Sequence, residues 1–293
     1  MEDYLVRAVT EDGAFRMLAV NGSKIVQTAQ QAHDTWPASS AALGRTLIGT
    51  LLLSSALLKD DEKLTLRLLG DGPVGGIVAD GNAQGEVKGY IQNPHVNLPL
   101  NVLGKIDVRR AVGTNGMVSV TKDLGLKQPF TGQVPITSGE IAEDLTYYLA
   151  KSEQIPSAMG LSVFVNQDNS IDVAGGFLIQ TLPDATDDQL TRLEERLKEM
   201  PLVSNLLREG QTPEQILQTI FGDEPIKFLG QSPVAFKCDC SKERFSKALA
   251  TLPQHELQAM IDEGHEIDTA CKFCNTHYQF SVADLQKLMK SAN

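Results

Sequence analysis

All four cysteines of this 293-residue chain lie in its last fifth, and they form two close doublets. Cys238 and Cys240 make a C-x-C motif, and after 30 further residues Cys271 and Cys274 make a C-x-x-C motif. Two doublets from separate segments can place four thiolates around a tetrahedral zinc ion without straining the backbone. The pattern therefore predicts that the reduced protein holds one zinc ion through these four sulfurs.

Two other interpretations of the cysteine pattern remain open. His277 follows Cys274 closely and could replace one sulfur in a Cys₃His site, although four sulfurs already complete the shell. Four unrelated buried thiols are the second alternative, but unrelated cysteines do not usually pair this closely. C-x-C is also less usual than C-x-x-C in a purely structural zinc site. This indicates that the doublets can change oxidation state as well as bind metal.

The composition narrows the class of protein. The formal net charge is −11, so the chain repels phosphate backbones, which disfavours general nucleic-acid binding. The N-terminus, MEDYLVRAVTEDG, lacks the basic start and apolar stretch of a secretory signal, and the apolar run Leu47–Leu58 is too short for a membrane span. We expect a cytoplasmic protein, where paired cysteines more often serve metal or redox chemistry than stable disulfides.

Residues 1–182 are predicted to form a large α+β domain. The stretch Ser23–Asp60 has the pattern of two helices, with Ser23 capping the first and Pro37 starting the second. From Lys63 onward, β-favouring residues alternate with glycine turn signals, and Asn115-Gly116 is predicted to form a tight hairpin turn. These patterns together predict a mixed domain of helices and sheet within residues 1–182.

Residues 183–230 are predicted to form an amphipathic helical linker. Thr186 with Gln189 resembles a capping box, and Thr212-Pro213 opens a second helix. The segment carries 10 acidic and 5 basic residues, and it is too small to form a hydrophobic core by itself. We therefore expect it to lie against a neighbouring domain and to be able to detach.

Residues 231–293 are predicted to form a small α+β zinc-binding domain. The segment has few large apolar side chains, so without a metal or another cross-link its fold is marginal. It carries 7 basic and 8 acidic residues, so it lacks the basic surface that a nucleic-acid-binding zinc module needs. A zinc module that binds nucleic acid is one alternative function for this chain, and the charge balance disfavours it.

The sequence contains no recognisable catalytic motif, and we predict a protein that is not an enzyme and has no catalytic residues. The glycine clusters lack the P-loop pattern, and neither G-x-S-x-G nor H-E-x-x-H occurs. The second alternative function is that of a thiol–disulfide oxidoreductase that uses the C-x-x-C motif. That motif would be expected to start a helix, whereas here it lies between predicted extended segments.

Several blocks in order resemble the bacterial redox-regulated heat-shock chaperone family, the zinc-containing holdases. The blocks that carry this resemblance are CDCSKERF, CKFCNTHYQF, TWPASSAALGRTL, GPVGGIVAD, RRAVGTNGMVSVTKDLG, TGQVPITSGEIAEDLTYYLAKSEQIPS and AGGFLIQ. They span essentially the whole chain. The resemblance implies an ATP-independent chaperone that binds unfolding proteins and prevents their aggregation under oxidative and heat stress.

The resemblance also implies that residues 1–182 bind clients and dimerise and that residues 231–293 act as the redox switch. The four zinc ligands would be Cys238, Cys240, Cys271 and Cys274, and oxidation would pair Cys238 with Cys240 and Cys271 with Cys274. The zinc-bound reduced form would be inactive and the disulfide form active. Oxidised chains would form a homodimer and later pass their clients to the ATP-dependent chaperone system.

Overall fold

The computed structural model describes residues 2–291. The α-helices are α1 (Ser23–His33), α2 (Pro37–Leu57), α3 (Val108–Val112), α4 (Ala142–Tyr148), α5 (Asp187–Glu199), α6 (Val203–Arg208), α7 (Pro213–Phe221), α8 (Lys242–Leu249), α9 (Gln254–Asp262) and α10 (Val282–Ser291). The strands are β1 (Tyr4–Thr10), β2 (Phe15–Asn21), β3 (Lys63–Leu69), β4 (Gly76–Asn82), β5 (Glu86–Ile91), β6 (Met117–Asp123), β7 (Phe130–Pro135), β8 (Ser157–Val165), β9 (Ile171–Thr181), β10 (Ile226–Pro233), β11 (Ala235–Phe236), β12 (Ile267–Ala270) and β13 (His277–Phe280). The predicted α+β class is confirmed.

The chain divides into two compact units, the first ending at Lys237 and the second beginning at Cys238. The division falls beyond the predicted domain start at Gln231 because β10 pairs with β1 and β11 pairs with β5, which ties both strands to the first unit. The linker helices α5, α6 and α7 also belong to the first unit. The three-part functional division at residues 182 and 230 stays a prediction.

The first unit is built from two sheets and a buried helix. One sheet has the order β10-β1-β2-β9-β8 and is antiparallel throughout, and the other has the order β11-β5-β4-β3-β6-β7. Helix α2 contacts strands of both sheets, and most of its residues are buried, the majority of them leucines, alanines and other apolar residues. By length and composition alone the 21-residue helix α2 could cross a membrane, but most of its residues are buried within the protein.

The central strands of the five-stranded sheet bury both of their faces. Alternate residues of these strands, such as Leu18 and Leu178, point toward α1 and α2 in the main core. The intervening residues point the other way and form a second apolar cluster with the linker helices. The linker therefore lies against the domain before it, as its amphipathic pattern predicted.

Two local predictions were wrong. Ser23 does not cap α1; the backbone N–H groups of Lys24 and Ile25 instead donate to the Asp3 carboxylate, at 3.1 and 2.8 Å. Asn115-Gly116 is not a hairpin turn, since β6 follows α3 and pairs with β3 and β7. A Cβ at Gly116 would lie 1.9 Å from the carbonyl oxygen of Leu69, so this glycine is needed for close backbone approach.

The second unit has a small core. It contains α8, α9, the hairpin β12–β13 and α10. Leu257, Phe280 and Leu285 are its large apolar side chains with no solvent exposure among those that the structure describes. Ser281 and Asp284 cap α10 reciprocally, as Asp284 N–H donates to the Ser281 hydroxyl and Ser281 N–H to the Asp284 carboxylate, both at 3.2 Å.

Candidate metal and redox centre

The second unit holds each cysteine doublet in a constrained backbone segment. Cys238 and Cys240 precede α8, whose N-terminus is capped by Ser241, with Arg244 N–H donating to its hydroxyl. Cys271 follows β12, and Cys274 lies in the turn that leads to β13. The extended segments on both sides of the C-x-x-C motif agree with the sequence prediction.

The turn around the C-x-x-C motif is fixed by backbone hydrogen bonds. The N–H of Asn275 donates to the carbonyl of Cys271 at 2.7 Å, and the N–H of Cys271 donates to the carbonyl of Thr276 at 2.9 Å. Asn275 adopts a left-handed conformation with φ of 55°, which asparagine tolerates better than most residues. These bonds bring Cys271 and Cys274 to one side of the hairpin.

The structure brings all four predicted ligand residues together. The sulfur atoms of Cys238 and Cys271 lie 3.7 Å apart, those of Cys240 and Cys274 lie 3.3 Å apart, and all four are within 4.8 Å of one another. A tetrahedral zinc ion with Zn–S bonds of about 2.3 Å requires sulfurs roughly 3.8 Å apart. The four cysteines are positioned to bind a metal ion, and the donor set fits zinc.

His277 has a different partner. Its Nδ1 lies 2.6 Å from a carboxylate oxygen of Asp268, and both side chains are about half exposed. The group of potential ligands found among residues 2–291 consists of the four cysteines. The geometry thus favours a four-sulfur set over the Cys₃His alternative.

Two hydroxyl groups contact the sulfur cluster, and sequence reasoning missed them. The Tyr278 hydroxyl donates to Cys240 Sγ at 3.1 Å, and Thr276 Oγ1 lies 3.2 Å from Cys274 Sγ. Both residues stand within four positions after Cys274 in the sequence. Hydroxyl residues directly following a C-x-x-C doublet are the signal that could have indicated them.

The surroundings of Cys238, Cys240 and Cys274 shift the pKa values of these thiols in different directions. Burial raises the pKa of Cys238 far above its usual range, and it also raises the pKa of Cys240. Burial acts in the same direction on Cys274, but hydrogen bonds from the Thr276 hydroxyl and backbone N–H outweigh it and bring the pKa of Cys274 to about 7. Cys274 is therefore the one of these three thiols whose surroundings favour the thiolate form in the metal-free protein.

The distances do not select a disulfide pairing. The closest sulfur pairs join one doublet to the other, yet every pair of sulfurs lies within 4.8 Å. All four cysteines are free thiols in the structure. Pairing within the doublets, Cys238 with Cys240 and Cys271 with Cys274, stays a prediction.

Comparison with known proteins gives one consistent result. The family model described as "Hsp33 protein" matches residues 3–281. A "33 kDa chaperonin" of Latilactobacillus sakei is 61% identical over 289 residues, which cover 99% of both chains. Its counterpart of the same name in Enterococcus faecalis is 53% identical, covering 100% of this chain and 98% of the relative.

A solved structure agrees with these relatives. The crystal structure of a 33 kDa chaperonin from Thermotoga maritima, also described as a heat shock protein 33 homolog, superposes with a TM-score of 0.92. It is 38% identical in sequence, and the match covers 99% of each chain. The similarity therefore extends over both units and includes the cysteine-bearing segment.

Proposed function

This chain belongs to the Hsp33 family and is a chaperone, and we propose that it is an ATP-independent holdase switched on by oxidation of its four cysteines. It binds unfolding proteins and prevents their aggregation during oxidative and heat stress. The function is binding and not catalysis, and we place it in the cytoplasm, where reduced thiols are maintained.

In the reduced protein, Cys238, Cys240, Cys271 and Cys274 hold one zinc ion per chain. When bound, zinc keeps the four sulfurs as thiolates and cross-links the two cysteine-bearing segments. The second unit has only a small apolar core, so this cross-link supplies much of its folding free energy, on the order of 10 kcal/mol in model peptides. The reduced form is the inactive one.

Oxidation removes the ligand set. A peroxide or hypochlorous acid converts one thiolate to a sulfenic acid, which condenses with the neighbouring cysteine to a disulfide. We propose pairing within each doublet, as the family resemblance implies. Disulfide sulfurs are poor metal ligands, so the second unit loses the cross-link and its fold loosens.

The linker helices are the element that the switch releases. Ile216, Leu217 and Phe221 of α7 are buried against the five-stranded sheet, and the Phe221 ring lies 5.7 Å from that of Phe15. If these helices detach, they uncover an apolar sheet face that includes Phe15 and Met17, together with their own apolar sides. Such a contiguous apolar surface would bind unfolded chains without needing a nucleotide.

The active form has further partners under this proposal. Two oxidised chains associate into a homodimer, and bound clients are later transferred to the ATP-dependent chaperone system. Thiol–disulfide exchange is not favoured as an enzymatic role, because Cys271 and Cys274 lie in a turn between β12 and β13 and not at a helix N-terminus.

The four-sulfur cluster is the observation that carries the proposal, and it can be tested directly. Zinc release and suppression of client aggregation are followed together during hydrogen peroxide treatment with mild heating. We expect both to rise with the same time course and to reverse after reduction with added zinc. Cys238→Ser/Cys271→Ser provides a control that lacks one sulfur of each doublet and can form neither of the proposed disulfides. Equal aggregation suppression by the reduced, zinc-bound protein would contradict the switch.

A further inference from the structure

Each cysteine doublet has one sulfur that a hydroxyl group contacts. In the C-x-C doublet it is Cys240, which accepts a hydrogen bond from Tyr278 at 3.1 Å. In the C-x-x-C doublet it is Cys274, with the Thr276 hydroxyl oxygen at 3.2 Å. A thiolate can only accept, so in the metal-binding state the Thr276 hydroxyl must be the donor.

The fold holds both hydroxyls in place independently of the sulfurs. Tyr278 pairs with Thr269 across the β12–β13 hairpin, and its ring packs against that of Phe245 with 5.0 Å between centroids and a tilt of 35° between the rings. The backbone of Thr276 is held by a hydrogen bond, in which its carbonyl accepts from the N–H of Cys271 at 2.9 Å. Because these contacts do not involve the hydroxyls, the hydroxyls are directed at the sulfurs by the backbone and by ring packing.

We propose that the Tyr278 and Thr276 hydroxyls restrain the attack of Cys240 and Cys274 on oxidants and so set how much oxidant the switch requires. The inference rests on the proposed function, since it concerns the same thiolates. A hydrogen bond to a thiolate stabilises the negative charge that the sulfur must donate to an electrophile. Groups that contact metal-binding side chains commonly tune them in this way.

The reaction that the hydroxyls restrain is a two-electron oxidation by a hydroperoxide. A sulfur lone pair attacks one peroxide oxygen, the S–O bond forms as the O–O bond breaks, and the leaving oxygen takes up a proton as water or alcohol. The neighbouring cysteine sulfur then attacks the sulfenic sulfur, and hydroxide leaves as the disulfide forms. One peroxide is reduced and two thiolates are oxidised, which balances the electrons.

The test compares hydroxyl-deletion variants of the full-length, zinc-loaded protein. Tyr278→Phe keeps the ring that packs against Phe245, and Thr276→Val keeps the shape of the threonine side chain. Iodoacetamide alkylation is mapped to each cysteine by mass spectrometry, peroxide-driven thiol loss is timed, and zinc extraction by a chelator reports the stability of the site. Thr276→Ser, which retains the hydroxyl, serves as the matched control.

We expect Tyr278→Phe to raise alkylation selectively at Cys240, and Thr276→Val to raise it selectively at Cys274. Each increase should be about three- to tenfold, since part of a charge-assisted hydrogen bond is lost between the ground and transition states. Peroxide-driven thiol loss should accelerate likewise, chelator extraction should stay within about twofold, and Thr276→Ser should behave as the wild type.

Two results would overturn the inference. One is alkylation that rises equally at all four cysteines together with faster chelator extraction, which would show only a loosened domain. The other is alkylation that does not change at Cys240 or Cys274. Alkylation needs no oxidant and no chaperone activity, so either result would leave the proposed switch intact. Conversely, failure of the peroxide-treated wild type to suppress aggregation would count against the switch alone.

Discussion

The two compact units bury their apolar side chains on very different scales. The first unit has a main core around α2 and a second cluster beneath the linker helices, together drawn from both sheets. The second unit fully buries Leu257, Phe280 and Leu285 among its described large apolar side chains. A single chain thus combines a unit that can fold through apolar burial with one that needs a cross-link.

This difference explains why a redox signal can act on one unit and leave the other folded. Under the proposed zinc ligation, loss of the four metal–sulfur bonds would remove a large share of the stabilisation of the second unit but none of the apolar contacts in the main core. The second apolar cluster, which α5, α6 and α7 form with the five-stranded sheet, is called the linker cluster. We expect its stability to lie between those of the main core and the second unit, since it is apolar but made from three short helices on one sheet face. We therefore expect stability to decrease from the main core through the linker helices to the second unit.

The largest effect should follow zinc removal. Chelation under reducing conditions should unfold residues 238–291 and leave α2 and both sheets protected, because the second unit loses on the order of 10 kcal/mol. Hydrogen exchange measured by mass spectrometry locates the change along the chain. Persistent protection in β12 and β13 after complete zinc removal would show that the small apolar core is sufficient.

Phe221→Ala should weaken the linker cluster by about 3–5 kcal/mol, because it removes a fully buried ring that packs against Phe15. We expect faster amide exchange in α5–α7 and some aggregation suppression by the reduced, zinc-bound protein. Phe228→Ala is the control, since Phe228 is 42% exposed in β10 and its loss should cost little. Equal behaviour of the two variants would remove the linker from the switch.

Leu257→Ala should cost about 2–5 kcal/mol in the second unit and therefore lower its zinc affinity by more than about tenfold. Folding and metal binding are coupled there, so lost packing appears as weaker binding. Competition with a chromogenic chelator measures the change. Leu47→Ala removes an equally buried leucine from α2 and should leave zinc affinity unchanged; a similar decrease in both variants would argue against independent units.

Thr212→Ala should have the smallest effect, about 1 kcal/mol, because it removes the side-chain cap of α7 without changing apolar burial. Amide exchange in α7 should increase about fivefold, while Thr212→Ser should match the wild type. Native-state hydrogen exchange at several temperatures can resolve this change. An unchanged rate would mean that α7 detaches only when the whole first unit unfolds.

Sequence reasoning was most successful where one local pattern decides the structure. The two cysteine doublets predicted the sulfur cluster, and the Thr186 capping box and the Thr212-Pro213 pair predicted the starts of α5 and α7. Proline at the start of α2 gave its boundary as well. In each case the determining residues lie within a few positions of one another.

Sequence reasoning failed where the residues that contact each other are distant along the chain. The cap of α1 comes from Asp3 on the preceding hairpin, and Gly116 is required by the backbone of Leu69. The short helix α6 was also missed, because its six residues are stabilised by packing on β8 and β9 and carry too little periodicity to recognise. The hydroxyl of Tyr278 reaches Cys240 only once the second unit has folded.

The strand pairing at both ends of the linker has a kinetic consequence. The chain enters the linker from β9, which pairs with β2, and leaves it through β10, which pairs with β1. If both pairings persist, the released helices form a closed loop anchored at two points on one sheet. Their return after reduction is then an intramolecular event, with a rate independent of protein concentration and an entropic cost limited by the short reach of the loop.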